Sequence, residues 1–303
     1  VSLFDLCQEY NIQFKKSLGQ NLLLDDNINR IMVDAAGITG DDSVVEVGAG
    51  LGALTTQLCQ KAKRLLSIEI DRTFMPCLED QFGTMENVRL FRGDVLNHPV
   101  EKLIGKFLPG GGPYKMVSNL PYYITTPILF HFWESCVAFD RIVIMVQEEV
   151  GQRMVARIGA SDYGAFSLAS CYYADIDLVH KVPNTCFRPQ PKVNSCIVRC
   201  RAWKEPLYSD IDGPFLLSII RTAFSQRRKT LRNSLTRSGG LEAPKEVTLD
   251  AMDAAGIDSS RRPQTLTLDE FAEIAREIAK RTQRPLAEAT GRCAQLQRKG
   301  LDE

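Results

Sequence analysis

The stretch Ser118-Asn119-Leu120-Pro121-Tyr122-Tyr123 has the residue types and spacing to hold a flat ring that bears an amino group. The Asn119 side-chain oxygen can accept a hydrogen bond from an exocyclic amine. So can the Leu120 carbonyl, whose direction is restrained because Leu120 precedes a proline. The Tyr122 ring can stack on the bound ring's face. Met116-Val117, just upstream, reads as the end of a buried strand, and a helix opens downstream at Thr125-Thr126-Pro127. Such a site at a strand's carboxyl end suits methyl transfer to the amino group of adenine. A proline turn around a packed tyrosine would explain the same residues without chemistry.

A second group of residues supplies the other half of that chemistry. Glu46-x-Gly48-x-Gly50-x-Gly52 follows the apolar run Ser43-Val44-Val45-Glu46-Val47. Glycines let the backbone approach a ligand, and the helix that follows presents its amino end. This is not the G-x-G-x-x-G dinucleotide fingerprint. It fits a nucleoside cofactor that has no pyrophosphate. Glu69 closes the second strand and can accept from both hydroxyls of a ribose. Asp94 closes the third and can accept an adenine amino hydrogen, or simply cap a helix. These positions fit S-adenosylmethionine better than NAD. Phe187, before Arg188-Pro189, is a candidate second wall for the target base, with a core phenylalanine as the plain alternative.

The elements that must position these residues alternate. Strands are expected at Ser43–Val47, Leu65–Ile68, Val88–Phe91, Met116–Asn119 and Ile142–Val146, with helices between them, one of them capped by Asp26 or Asn27. Alternation of this kind implies a parallel sheet covered on both faces, with ligands at the carboxyl ends of the strands. Strand-like runs at 176–182 and 193–201 read as an antiparallel pair at one sheet edge. Beyond Trp203 helical periodicity dominates, at Phe215–Phe224, Arg227–Leu235, Val247–Ala255 and Leu268–Ala279. The expected organisation is an α/β domain over 1–203, a smaller all-helical domain over 204–284, and a polar, basic, loosely ordered tail over 285–303.

Composition narrows the alternatives. The 303 residues carry 37 Lys plus Arg against 37 Asp plus Glu, so net charge points to no partner. Its distribution does. Arg221, Arg227, Arg228, Lys229, Arg232 and Arg237 fall in one run with no acid between them, a stripe fit for phosphates. Nine cysteines include no CxxC pair, and Cys196 and Cys200 lack the further ligands of a metal site. Free thiols in a reducing cytosol are expected. No apolar run approaches the ~20 residues that cross a bilayer. The start, Val1-Ser2-Leu3-Phe4-Asp5, lacks the layout of a signal peptide.

Several motifs together resemble one family. They are Lys16-Ser17-Leu18-Gly19-Gln20-Asn21, Val45–Gly50, Ile68-Glu69-Ile70-Asp71, Asn119-Leu120-Pro121-Tyr122 with Thr126-Pro127, Phe187–Val193 and Phe224–Asn233. In combination they look like the KsgA-type rRNA adenine dimethyltransferases, over about residues 13 to 280. The resemblance implies a Rossmann-like class I methyltransferase domain with a helical carboxyl-terminal domain, and S-adenosylmethionine as cofactor. It implies N6,N6-dimethylation of two adjacent adenines in a hairpin near the 3′ end of small-subunit, 16S-type rRNA during ribosome biogenesis. Carried over by motif, Asn21, Leu23, Gly48, Gly50, Glu69, Asp94 and Asn119 border the cofactor. Asn119, Leu120, Tyr122 and Phe187 face the target base, and Arg227, Arg228, Lys229 and Arg232 contact RNA. Leu22 stands where the family usually has Phe, and Gln190 replaces a proline of the F-x-P-P-P-K run. A cytoplasmic monomer acting on an assembling small ribosomal subunit is expected. The rivals are a resistance methyltransferase acting on large-subunit rRNA, a DNA adenine methyltransferase, and an RNA-binding assembly factor without catalysis.

Overall fold

The computed structural model describes residues 3–15, 19–204, 207–226, 228–237, 241 and 243–284. Residues 16–18, Arg227 and the expected tail lie outside the described residues. The chain divides into two compact units, residues 1–151 with 176–202, and residues 152–175 with 203–303.

In chain order the first stretch gives α1 (Leu3–Glu9), β1 (Leu22–Leu23), α2 (Asp26–Ala36), β2 (Ser43–Val47), α3 (Ala53–Lys61), β3 (Arg64–Glu69), α4 (Met75–Phe82) and β4 (Val88–Arg92). Then come α5 (Val100–Phe107), β5 (Tyr114–Asn119), α6 (Thr125–Trp133), β6 (Phe139–Gln147) and α7 (Glu148–Val155). After α8 (Ala165–Tyr173) follow β7 (Ala174–Val182), β8 (Phe187–Arg188) and β9 (Ser195–Ala202). A seven-stranded sheet has the order β4-β3-β2-β5-β6-β9-β7. Strands β4 to β6 run parallel, and β9 lies antiparallel to β6. From β2 the chain moves outward to β3 and β4, then crosses back to place β5 on the other side of β2. That reversal opens a crevice at the carboxyl ends of β2 and β5, the place where open α/β sheets bind ligands.

Every residue of β2 is buried, which is why its sequence runs apolar rather than alternating. Besides Ser43 at its start, the exception is Glu46, next to last in the strand and 1% exposed. Its Oε2 accepts from Thr55 Oγ1 of α3 and Ser67 Oγ of β3, both at 2.7 Å, while Oε1 has no partner among the described residues. Burial pushes its carboxyl up to about 7, against the pull of those two hydroxyls. The glutamate thus ties the central strand to a neighbouring strand and to the helix that follows the glycine loop.

Three expectations differ in detail. Asp25, rather than Asp26 or Asn27, caps α2 by accepting from the Asn27 amide. Gly37 ends that helix in the left-handed region at φ 56°. Residues 152–175 cluster with the carboxyl-terminal helices, so the second unit is drawn from two stretches of chain rather than one. It is built from α8, α9 (Gly213–Phe224), α10 (Leu231–Leu235), α11 (Lys245–Ala254) and α12 (Leu268–Arg281). Its core contains Phe215, Leu216, Ile220, Phe271 and Ile274. Finally, α10 begins at Leu231 and not near residue 227, because Thr230 caps it through the Asn233 amide.

Glu46→Gln keeps the shape of the protonated acid but cannot titrate. A raised folded-state pKa means stability that is fully present below about 4.5 and is lost as pH rises through about 7. The wild-type protein is therefore expected to lose on the order of 3 kcal/mol relative to Glu46→Gln across that window. Thermal unfolding of both proteins between pH 4 and 8 measures it; parallel curves would mean that folding leaves the Glu46 pKa unchanged.

Candidate active site

The glycine loop leaves β2 and turns at once. The Gly48 and Ala49 amides donate to the Ile68 carbonyl of β3, at 2.8 and 3.3 Å. Gly48 has φ 81° and Gly52 has φ 86°, values that exclude most side chains. A Cβ at Gly52 would lie 2.4 Å from Phe82 Cε2. A Cβ at Gly48 would lie 3.5 Å from the Asn119 carbonyl oxygen and 3.8 Å from Pro121 Cδ. Those are ordinary contact distances, so it is the positive φ rather than lack of space that calls for glycine at Gly48, where the ends of β2 and β5 meet. One cavity is lined by this loop, by Glu69 and Asp94, and by Asn119–Ile124.

Glu69 is 5% exposed and fixed by two backbone donors. Gly50 N–H reaches its Oε2 and Asp71 N–H reaches its Oε1, both at 2.8 Å. Burial pushes its carboxyl up, and the two amides pull against it. Each oxygen keeps a further acceptor site for two neighbouring hydroxyls. Asp71 is buried too. Lys15 Nζ donates to its Oδ1 at 2.6 Å and Gln20 Nε2 to its Oδ2 at 2.7 Å. Burial would raise this carboxyl, yet the donors from Lys15, Thr73 and Gln20 hold it at about 2. Gln20 also accepts from the Lys15 amide through Oε1. Asp71 therefore anchors the segment that carries Asn21, Leu22 and Leu23, all of which line the cavity.

Asn21 donates to the Gly19 carbonyl at 3.0 Å, and Leu23 is 5% exposed. The segment 22–23 pairs antiparallel with β8, Leu23 opposite Phe187. That pairing changes the expectation for Phe187. Its side chain is fully buried in the hydrophobic core and does not line the cavity, so it offers no face to a base in this arrangement. Asp94 has the capping role considered for it and also lies at the cavity. Its Oδ1 accepts from the Leu96 amide as the cap of a short 3-10 turn, and the residue lines the cavity.

The turn after β5 holds its shape through Pro121, whose carbonyl accepts from the Ile124 amide and the Thr125 hydroxyl. Among the described residues the Asn119 side chain makes no hydrogen bond, and no turn or cap amide donates to the Leu120 carbonyl. Neither acceptor is spent on the turn itself. Tyr122 is half-buried, and its hydroxyl lies 2.6 Å from Ser195 Oγ at the start of β9. That tether fixes the ring, and burial pushes the hydroxyl's pKa up. Tyr123 and Ile70 line the cavity as well, although their side chains are largely exposed. Neither carries a sequence signal of its own; only their places inside N-L-P-Y-Y and I-E-I-D mark them.

In the second unit, Arg228, Lys229 and Arg232 are exposed, and none has an acidic partner among the described residues. Arg228 and Lys229 lie in the turn before α10, and Arg232 lies within it. Arg227, expected beside them, lies outside the described residues. Cys196 and Cys200 are buried free thiols. No described helix is long and apolar enough to cross a membrane.

Comparison with known proteins agrees on one family. The model of the family described as ribosomal RNA adenine dimethylase matches residues 11–280. A protein of Alkaliphilus metalliredigens named ribosomal RNA small subunit methyltransferase A is 42% identical over 277 residues, which cover 91% of this chain and 96% of that protein. One of the same name from Bacillus mycoides is 39% identical, over 90% of this chain and 94% of its own. Among solved structures, a dimethyladenosine transferase from Plasmodium falciparum aligns with a TM-score of 0.74 at 24% identity, over 86% of this chain and 98% of its own. The 23S rRNA methyltransferase ErmE aligns with a TM-score of 0.61 at 25% identity, over 85% and 99%. The fold is therefore the Rossmann-like one of these methyltransferases.

Asp71→Asn removes the charge that both Lys15 and Gln20 bind. Amide hydrogen exchange over residues 19–23 is expected to quicken, while β2 and β3 keep their protection. Unchanged protection there would mean that the pairing with β8 holds the segment by itself.

Proposed function

This chain belongs to the ribosomal RNA adenine dimethylase family, and on that premise we propose that it methylates the N6 amino groups of two adjacent adenines in a hairpin near the 3′ end of small-subunit rRNA, twice each. The observation that carries the reading is a single cavity with two kinds of wall. One wall is a glycine loop with Glu69 and Asp94, suited to a nucleoside with a free ribose. The other is the turn Asn119–Tyr122, with unused acceptors and a fixed aromatic ring. S-adenosylmethionine, when bound, supplies an electrophilic methyl group on sulfur. Glu69 would hold its ribose, Asp94 its adenine, and the backbone around Gly48 and Gly50, with Asn21 and Leu23, its remaining length.

The protein's own task is to make a poor nucleophile attack. The N6 lone pair of adenine is delocalised into the ring. When the Asn119 oxygen and the Leu120 carbonyl accept both N6 hydrogens, the nitrogen is drawn toward a pyramidal geometry with its lone pair free. Tyr122 stacks on the base and fixes the line of approach, and positioning of this kind lowers barriers by large factors. The turn carries no carboxylate, imidazole or amine, so the proton released after transfer leaves to water. A paired base cannot reach such a turn and must first be unstacked, at a cost of a few kcal/mol that a loop or hairpin end reduces.

Identity of 39–42% to proteins named for the small subunit, against 25% to the 23S enzyme, favours the small-subunit substrate. We take the enzyme to act as a cytoplasmic monomer on the assembling subunit. The test is transfer of labelled methyl to unmethylated small subunits, beside large subunits and DNA. N6,N6-dimethyladenosine from small subunits alone is expected. Label in large subunits would favour the resistance-enzyme reading, and none anywhere an RNA-binding factor without catalysis.

Asn119→Ala is expected to slow methyl transfer by about a hundredfold or more while cofactor binding survives, by analogy with the loss of one preorganised polar group elsewhere. Turnover within a few fold of wild type would sink the mechanism. Neutralising Arg228, Lys229 and Arg232 together is expected to weaken RNA binding and to reduce the slope of log K against log salt by about 2. An unchanged slope would put the phosphate contacts elsewhere.

A further inference from the structure

Tyr122 and Tyr123 are neighbours in one 3-10 turn, yet their surroundings are opposite. Tyr122 is tied down through its hydroxyl. Tyr123 is 55% exposed, the most exposed large apolar side chain among the described residues, and still lines the cavity. It therefore stands at the cavity's mouth. Its hydroxyl bonds to no described residue, so nothing in the described chain uses its polar end. Its ring nonetheless has a close neighbour. Gly19, at φ 59°, lies flush against it, close enough that a Cβ there would sit 3.2 Å from Tyr123 Cδ1 and 3.5 Å from Cε1. An aromatic ring packed against a glycine and more than half exposed offers a surface on which a base can stack.

A base drawn out of its stack into the cavity leaves its neighbour with one bare face. We propose that Tyr123 stacks on the nucleotide adjacent to the adenine in the cavity and covers the face that flipping exposes. This rests on the function proposed above and specifies how the same site engages its RNA. If the two targets are adjacent adenines, the base on Tyr123 is in one of the two rounds the other target. Aromatic stacking tolerates any base, so Tyr123 sets affinity and register, and the acceptors at Asn119 and Leu120 choose the base that reacts. Tyr123 touches neither the reacting nitrogen nor the methyl group; it is a positioning residue.

The test compares wild type, Tyr123→Phe and Tyr123→Ala on unmethylated small subunits. The ring is largely exposed, so both variants should fold, and thermal unfolding checks it. Tyr123→Ala is expected to raise the KM for small subunits about tenfold or more, within the range that removal of one base–aromatic stack produces. The KM for S-adenosylmethionine should stay within about twofold, and Tyr123→Phe should restore the wild-type value, because the hydroxyl has no role. A hairpin RNA with 2-aminopurine at one of the two adjacent positions gives a direct reading: quenched on binding wild type or Tyr123→Phe, and brighter with Tyr123→Ala. The proposal falls if Tyr123→Ala matches wild type in both readings. It also falls if that variant weakens S-adenosylmethionine binding and leaves the RNA readings alone, since the ring would then cover the cofactor. If wild type labels no adenine at all, the functional reading fails first.

Discussion

A chain of hydrogen bonds through two buried carboxylates holds the site together. Gly50 N–H and Asp71 N–H grip Glu69, and the Asp71 side chain in turn grips Lys15 and Gln20. The glycine loop, the end of β3 and the amino-terminal segment, more than fifty residues from Asp71, are thereby locked to one another. Each carboxylate is desolvated, so each link must be well made to persist. The two acids divide the work. Asp71, supplied with an ammonium and an amide side chain, is held ionised. Glu69, supplied only with backbone amides, is left with spare acceptor capacity at the cavity wall. The structural acid keeps the ligand-facing acid's surroundings in order.

Much of this was legible in the residues. β2 falls at Ser43–Val47 because an unbroken apolar run ending in glycines is what a doubly covered parallel strand and its turn require. Glu69, Asp94 and Asn119 fall at strand ends because helix and strand periodicities alternate cleanly there. The parts that were not legible are long-range. Two residues of β1 pair with two of β8, a pairing too short to leave any periodic trace. It is that pairing which sets Phe187 in the core and not at the cavity. Asp71 reads locally as an acid at a strand end; its partners at Lys15 and Gln20 come only from folding.

The paired tyrosines make the same point at the scale of one turn. Sequence treats them as a doublet, and the chain gives them different fates through two distant neighbours. Ser195 captures one hydroxyl, and Gly19 backs the other ring. A proline-stiffened backbone decides where both rings start, and tertiary partners decide which is buried.

The second unit's double origin bears on how this protein is made and cut. Helix α8 precedes the last sheet strands in the chain, yet its partners α9 and α12 lie beyond residue 212. During synthesis, Leu168 and Tyr173 must wait for helices not yet translated, while β7 and β9 emerge between them and complete the sheet. The α/β unit therefore cannot be isolated by stopping the chain after β9. Such a fragment would keep α8 with an apolar face that its own residues cannot cover. A dissection therefore has to remove α8 as well as the carboxyl-terminal helices.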